Sequence, residues 1–265
     1  MNLNKKSVIV NDTEIVYWTD KINSDEWIVL LHGAGMDGYM FSKQVEILQG
    51  KYNLLVWDAR GHGQSQDIKN DFTFDQLRLD LLKILEIENC FNAVFIGQSM
   101  GGNLAQEITF HNPEIVTKLV LIGCTRNTNR LTNTERFLLK ITPFLLRIYP
   151  WNTLVKQSAV ACSRKKEIRN YVTDCLFRVG KPNFIKIMTA TMVCLHEEFG
   201  YIINKPILLL CGEYDKTGNI KKVAYEWEKI EPDCKLHIIE NAAHNANQDN
   251  PEVVNKLITE FLGIQ

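Results

Sequence analysis

The sequence contains no C-x-x-C pair, although it carries Cys90, Cys124, Cys162, Cys175, Cys194, Cys211 and Cys234. An odd, scattered set fits neither a disulfide framework nor a zinc site, and it reads as reduced thiols. Nor is there a run of about 18 apolar residues, so no transmembrane segment is expected. The opening MNLNKKSVIVNDTEIVYW has only a three-residue apolar run, Val8 to Val10, which is too short for a signal-peptide core. A cytoplasmic location is therefore expected. Internal repeats and low-complexity tracts are absent. Large net charge is absent too, at -1, and no nucleic-acid partner is expected. No pattern bears on oligomeric state.

What is present is an ordinary globular composition, 45% hydrophobic and 23% charged over 265 residues, enough for one large α/β domain or a domain with an insertion. Val8–Val10 and Ile15–Trp18, joined by Asn11-Asp12, predict an N-terminal hairpin. Buried-strand runs follow at Trp27–Leu31, Leu54–Trp57, Val94–Ile96, Leu119–Ile122, Ile207–Leu210 and Leu236–Ile239. Helical patterns lie between several of them, at Phe41–Leu48, Leu77–Ile87 and Asn103–Phe110, with another at Val253–Leu262. Alternation of this kind predicts a parallel sheet covered on both faces.

The alternation breaks between Cys124 and Lys205. Helix-length segments at Thr134–Tyr149, Thr153–Cys162, Glu167–Val179 and Phe184–Glu198, parted by Pro150, Ser163 and Lys181-Pro182, predict a helical insertion. The same stretch is electrostatically distinct. From Arg126 to Gly200 there are 13 Lys/Arg against 5 Asp/Glu, a charge of +8, leaving 17 against 26 elsewhere, or -9.

Two glycine-rich stretches bear on chemistry. Gly33, Gly35 and Gly38 follow a strand as G-x-G-x-x-G, with Asp58 some 20 residues on, which is the spacing of a dinucleotide site. The same loop reads His32-Gly33-Ala34-Gly35. The second stretch, Gly97-Gln98-Ser99-Met100-Gly101, follows a strand and opens a helix, and G-x-S-x-G in that setting is a nucleophile elbow. From the glycine and serine content, chance would produce the pattern about 0.02 times in the chain, so an accidental match is disfavoured.

A serine hydroxyl needs a base, and the base needs an orienting acid. Asp215 lies just past the strand Ile207–Leu210, and His244 just past Leu236–Ile239. In a parallel sheet both loops open on the edge where the elbow emerges, in the order Ser, Asp, His. Glu213 is a weaker rival to Asp215, being nearer the strand end. His111, His196 and His237 read as structural or solvated. Ser99, Asp215 and His244 are thus the candidate catalytic residues. The N–H groups of Ala34 and Met100 are the candidate oxyanion donors, which decides the first glycine loop against a dinucleotide. Asp58, Arg60, His62 and Ser65 are assigned to scaffolding of a hydrogen-bonded loop.

These motifs, HGAG at 32–35, DARGHGQS at 58–65, GQSMGG at 97–102, GEYD at 212–215 and AAHNANQDNPEVVNKLITEFL at 242–262, resemble the α/β-hydrolase superfamily, in its cap-bearing branch of serine hydrolases and esterases. The resemblance implies an α/β-hydrolase fold, with a mostly parallel eight-stranded sheet flanked by helices. It also implies a core at 1–124 and 205–265, a helical cap at 125–204, and neither cofactor nor metal. The implied activity is cleavage of small to medium carboxylic esters, or of thioesters or lactones, through an acyl-enzyme. The alternatives are a ligand receptor or signalling protein with slow turnover, a perhydrolase, and a carbon–carbon bond hydrolase. Asn245 stands against the last, since ring-cleavage members usually carry tryptophan there.

The cap is expected to set specificity. Phe137, Leu138, Phe144, Leu145, Trp151, Phe184, Met188 and Met192 either line an acyl pocket or pack cap helices together. The +8 charge favours an anionic small-molecule substrate or an anionic membrane surface, through Arg126, Arg130 and Arg136.

Overall fold

A computed structural model describes residues 2–22, 24–68 and 72–264. Its centre is an eight-stranded sheet. The strands are β1 (Asn4–Val10), β2 (Thr13–Asp20), β3 (Trp27–Leu31), β4 (Asn53–Trp57), β5 (Ala93–Gln98), β6 (Val116–Ile122), β7 (Ile207–Gly212) and β8 (Cys234–Ile239). They lie side by side in the order β1-β2-β4-β3-β5-β6-β7-β8. The pairs β1/β2 and β2/β4 are antiparallel, and the rest are parallel. The hairpin turn sits at Asn11 and Asp12, whose φ values of 48° and 62° are those a type I′ turn requires.

Every residue of β3, β4, β5 and β7 is buried, which is why these strands read as unbroken apolar runs rather than alternating ones. The edge strand β8 buries only Cys234 and Ile239. Helices α1 (Ser42–Leu48), α2 (Phe74–Glu88), α3 (Met100–His111), α7 (Ile220–Ile230), α8 (Ala246–Asp249) and α9 (Pro251–Leu262) accompany the sheet. The sequence reading does not anticipate α7 as a helix.

Between β6 and β7 come α4 (Asn133–Ile148), α5 (Trp151–Cys162) and α6 (Lys166–Val193). The expected division of α6 is present as a break at Gly180, with φ 73° and ψ 157°, immediately before Lys181-Pro182. The two runs flanking it stay joined end to end. α5 and α6 share the core's continuous apolar cluster through Val155, Ala159, Val172, Leu176 and Ile187. α4 buries no residue at all.

Two carboxylates tie this insertion to the sheet loops. Asp37, in the loop after β3, accepts from Tyr171 Oη at 2.7 Å and from the Arg178 guanidinium at 2.8 Å, both on α6. Asp249 accepts from Ser163 Oγ and, at 3.1 Å, from the Arg164 N–H, just past α5.

Candidate active site

The turn from β5 into α3 places Ser99 at φ 50°, ψ -117°, a backbone conformation that side chains rarely adopt. The strain is held in place from both sides. Ser99 N–H donates to Ile122 O at 2.9 Å, and Asn103 N–H donates to Ser99 O at 3.0 Å. The flanking glycines are needed for space. A Cβ on Gly97 would sit 2.5 Å from the Gly101 carbonyl, and one on Gly101 would sit 1.9 Å from Leu31 O. The crossing of α3 over β3 can therefore be this close only without side chains there, and it lifts Ser99 above the carboxyl edge of the sheet.

His244 and Asp215 reach that edge from loops after β8 and β7. His244 Nδ1 lies 2.9 Å from Asp215 Oδ2, and both side chains are buried. Burial alone pushes the Asp215 carboxyl up. The hydrogen bond and charge of His244, with the Thr217 N–H donating at 2.8 Å, outweigh it and leave Asp215 below the usual carboxylate range. An ionised Asp215 makes Nδ1 the donor, so Nε2 keeps a lone pair free to take a proton. The His244 loop is fixed by Asn245 N–H to Cys162 O at 2.8 Å and by Gln98 Nε2 to His244 O at 3.2 Å.

Ser99 and His244 line one cavity of about 160 Å³, with Ala34, Met36, Leu176, Phe184 and Met188 on its walls. The Ala34 N–H has no hydrogen-bond partner among the described residues. Its direction is set by a neighbour. His32 Nε2 accepts the Ala59 N–H at 2.9 Å, which makes Nδ1 the donor to Gly33 O at 2.8 Å. Because the peptide is planar and trans, holding the Gly33 carbonyl holds the Ala34 N–H pointing the opposite way. Burial keeps the His32 imidazole neutral, pushing its pKa down. Met100, the first residue of α3, carries a first-turn N–H with no partner within its helix.

Other candidates fall away from this cavity. Glu213 is occupied with the Asn241 N–H at 3.0 Å. His111 lies 3.8 Å from Glu107, His196 lies 3.2 Å from it, and His237 is within β8. Cys162 lines the cavity, but burial, with Asp215 and Asp249 nearby, pushes its thiol up to about 12, too high for a thiolate nucleophile.

The 58–65 loop is knitted internally. Asp58 accepts the Gly38 and Gln64 N–H groups at 2.8 and 2.7 Å, and Arg60 forms a fully buried two-bond pair with Asp80. His62 Nδ1 contacts Arg60 O at 2.9 Å, and Ser65 Oγ accepts the Val16 N–H at 2.7 Å. Both carboxylate oxygens of Asp58 are thus engaged within the protein, as scaffolding requires.

The insertion departs from expectation in two respects. Of the apolar residues considered for an acyl pocket, Phe184 and Met188 line the cavity, and Trp151 packs on Phe184 and Phe177. Phe137, Leu138, Phe144 and Leu145 are instead 46–62% exposed on α4, a helix with no buried residue. The arginines are also elsewhere. Arg126 is buried against Glu231 at 2.9 Å, Arg136 pairs with Glu197, and Arg130 lines a separate small pocket with Glu135 and Glu226. None faces Ser99.

Comparison with known proteins agrees with this architecture. The family model described as Hydrolase_4 (serine aminopeptidase, S33) matches residues 23–251. An uncharacterized hydrolase, YugF, of Bacillus subtilis is 26% identical, with 89% of each chain covered. A pimeloyl-[acyl-carrier protein] methyl ester esterase of Vibrio vulnificus is 25% identical over 89% of this chain and 94% of its own. The enol-lactonase of Burkholderia xenovorans LB400 superimposes with a TM-score of 0.83, covering 97% of this chain and 100% of its own, at 21% identity, a likeness of fold.

Proposed function

We propose, for a chain that belongs to the Hydrolase_4 family (serine aminopeptidase, S33) of the α/β-hydrolase superfamily, the hydrolysis of carboxylic esters, including thioesters and lactones, through an acyl-enzyme on Ser99. The observation that carries this reading is the His244–Asp215 hydrogen bond of 2.9 Å beside a strained Ser99 in one shared cavity.

Ser99 Oγ attacks the ester carbonyl while His244 Nε2 takes its proton. Asp215 holds the ring with Nδ1–H donating and stabilises the imidazolium. The Ala34 and Met100 N–H groups receive the oxyanion, each contributing about 3 kcal/mol of transition-state stabilisation. Nε2 then returns the proton to the departing alkoxide, and water attacks the acyl group with His244 again as base. No step calls on a cofactor or metal.

Residues 125–204 act as a cap over this chemistry. The cavity beneath it, about 160 Å³, is the size that holds a benzene-sized molecule, so a short or slender acyl group fits. Esters are favoured over peptide N-termini on charge. The described residues that line the cavity include no carboxylate to hold an ammonium group. The methyl ester esterase among the relatives points the same way.

The test is intact mass after treatment with a fluorophosphonate. One adduct on the wild type and none on Ser99→Ala is the expected result. No adduct on folded wild type would overturn the reading in favour of a receptor-like protein.

A further inference from the structure

We propose that the cavity where α5 meets the loop after β7 binds an anionic group, a carboxylate or phosphate-type group at the far end of the acyl chain, and so selects anionic esters. The inference rests on the esterase reading of Ser99.

This cavity, about 540 Å³, is walled by Lys156, Arg164, Arg169 and Lys216, with Tyr214 and Ala161, and no carboxylate lines it among the described residues. None of the four cations forms an ion pair among the described residues, whereas Arg126, Arg136 and Arg178 of the same insertion are each paired. Four like charges around one concavity, with no carboxylate among its described lining residues, raise the local potential. Two of them are already positioned. The Arg164 guanidinium lies 4.0 Å from the centre of the Tyr214 ring, and Arg169 Nε donates to Ser163 O at 2.6 Å. A planar cation fixed in this way binds carboxylate or phosphate oxygens with less loss of freedom than a swinging one.

The basic cavity adjoins the one that holds Ser99. Ala161 lines both, and Lys216 and Ala243 on one side are chain neighbours of Thr217 and His244 on the other. In the proposed binding mode the acyl chain crosses this shared wall, with its carbonyl at Ser99 and its charged end among the cations. The division of labour follows from solvation. An anion stripped of water in the small apolar cavity would be penalised heavily, and in the open basic one it keeps both water and counter-charge.

The experiment compares mono-p-nitrophenyl esters of straight-chain dicarboxylic acids with the same esters methyl-capped at the far end. A third series carries an ω-phosphonate. The charged esters are expected to show at least about tenfold higher kcat/KM at low salt, fading as ionic strength rises towards about 1 M. Lys156→Glu with Lys216→Glu should lower the charged-to-neutral ratio at least about tenfold, and Lys156→Met with Lys216→Met by less. The ranking of carboxylate against phosphonate identifies the natural group. Calorimetry of free suberate and of inorganic phosphate with Ser99→Ala reads the same site without turnover. Equal rates on charged and neutral esters, with no binding to Ser99→Ala, would overturn the proposal and leave the esterase reading intact. Charge-dependent binding with no hydrolysis of any ester would overturn the esterase reading, and ester selection with it, and leave only an anion-binding cavity.

Discussion

Asp249 Oδ2 accepts the Ala243 N–H at 2.8 Å, and the same carboxylate holds Ser163 and the Arg164 N–H at the end of α5. One buried side chain thus fixes both the residue before His244 and the turn between α5 and α6.

Asp249→Asn keeps the shape but replaces one accepting oxygen with an NH2 donor and removes the charge, weakening the hydrogen bonds that Ser163, Arg164 and Ala243 donate to it. Stability should fall by about 1–3 kcal/mol in denaturant unfolding, and kcat by about tenfold, as His244 loses its registration with Ser99. Lower stability with unchanged kcat would mean that Asp249 holds the insertion alone.

Ser99→Gly and Ser99→Ala both remove the hydroxyl, but only glycine adopts φ 50° without strain. The glycine variant should be the more stable of the two by about 1 kcal/mol in urea unfolding. Equal stability would show that the elbow relaxes when the hydroxyl is gone.

Buried His62 has its pKa pushed down to about 3 from 6.5, by burial first and then by His32 beside it. The unfolded chain therefore binds a proton that the folded chain refuses. The stability that neutral His62 allows is complete above pH 6.5 and is lost as pH falls towards 3, at up to ~1.4 kcal/mol per pH unit. Urea unfolding across that range should show a shallower slope for His62→Gln. Some slope should remain, because burial lowers His32 in the same direction.

The features legible in the sequence were local. β3, β5 and β7 are fully buried and so stand out as apolar runs, and each leads directly into the loop carrying Ala34, Ser99 or Asp215. The hairpin turn at Asn11-Asp12 and the break before Lys181-Pro182 were likewise written in turn and breaker residues. Long-range contacts were not legible. Arg126 looks like a surface charge until Glu231, 105 positions away, is folded against it. Asp37 meets Tyr171 across 134 positions, and no spacing rule anticipates that pairing. α7 is not anticipated although Ile220, Val223, Ala224 and Trp227 form an apolar stripe with lysines and glutamates between them, the pattern of an amphipathic helix. The α4 aromatics followed a helical period correctly. Periodicity, however, says which residues share a face and not what that face meets.

The Asp37 anchor has a further consequence. The loop that bears Gly33 and Ala34 is gripped by Tyr171 and Arg178 of α6, and Gly35 approaches Leu176 so closely that an added Cβ would lie 2.6 Å from it. If α6 tilted outward to admit a ligand, it would pull on the peptide proposed to receive the oxyanion. Opening and competence would then be one coordinate, so an open form of the enzyme would also be an inactive one, protected from idle attack by water.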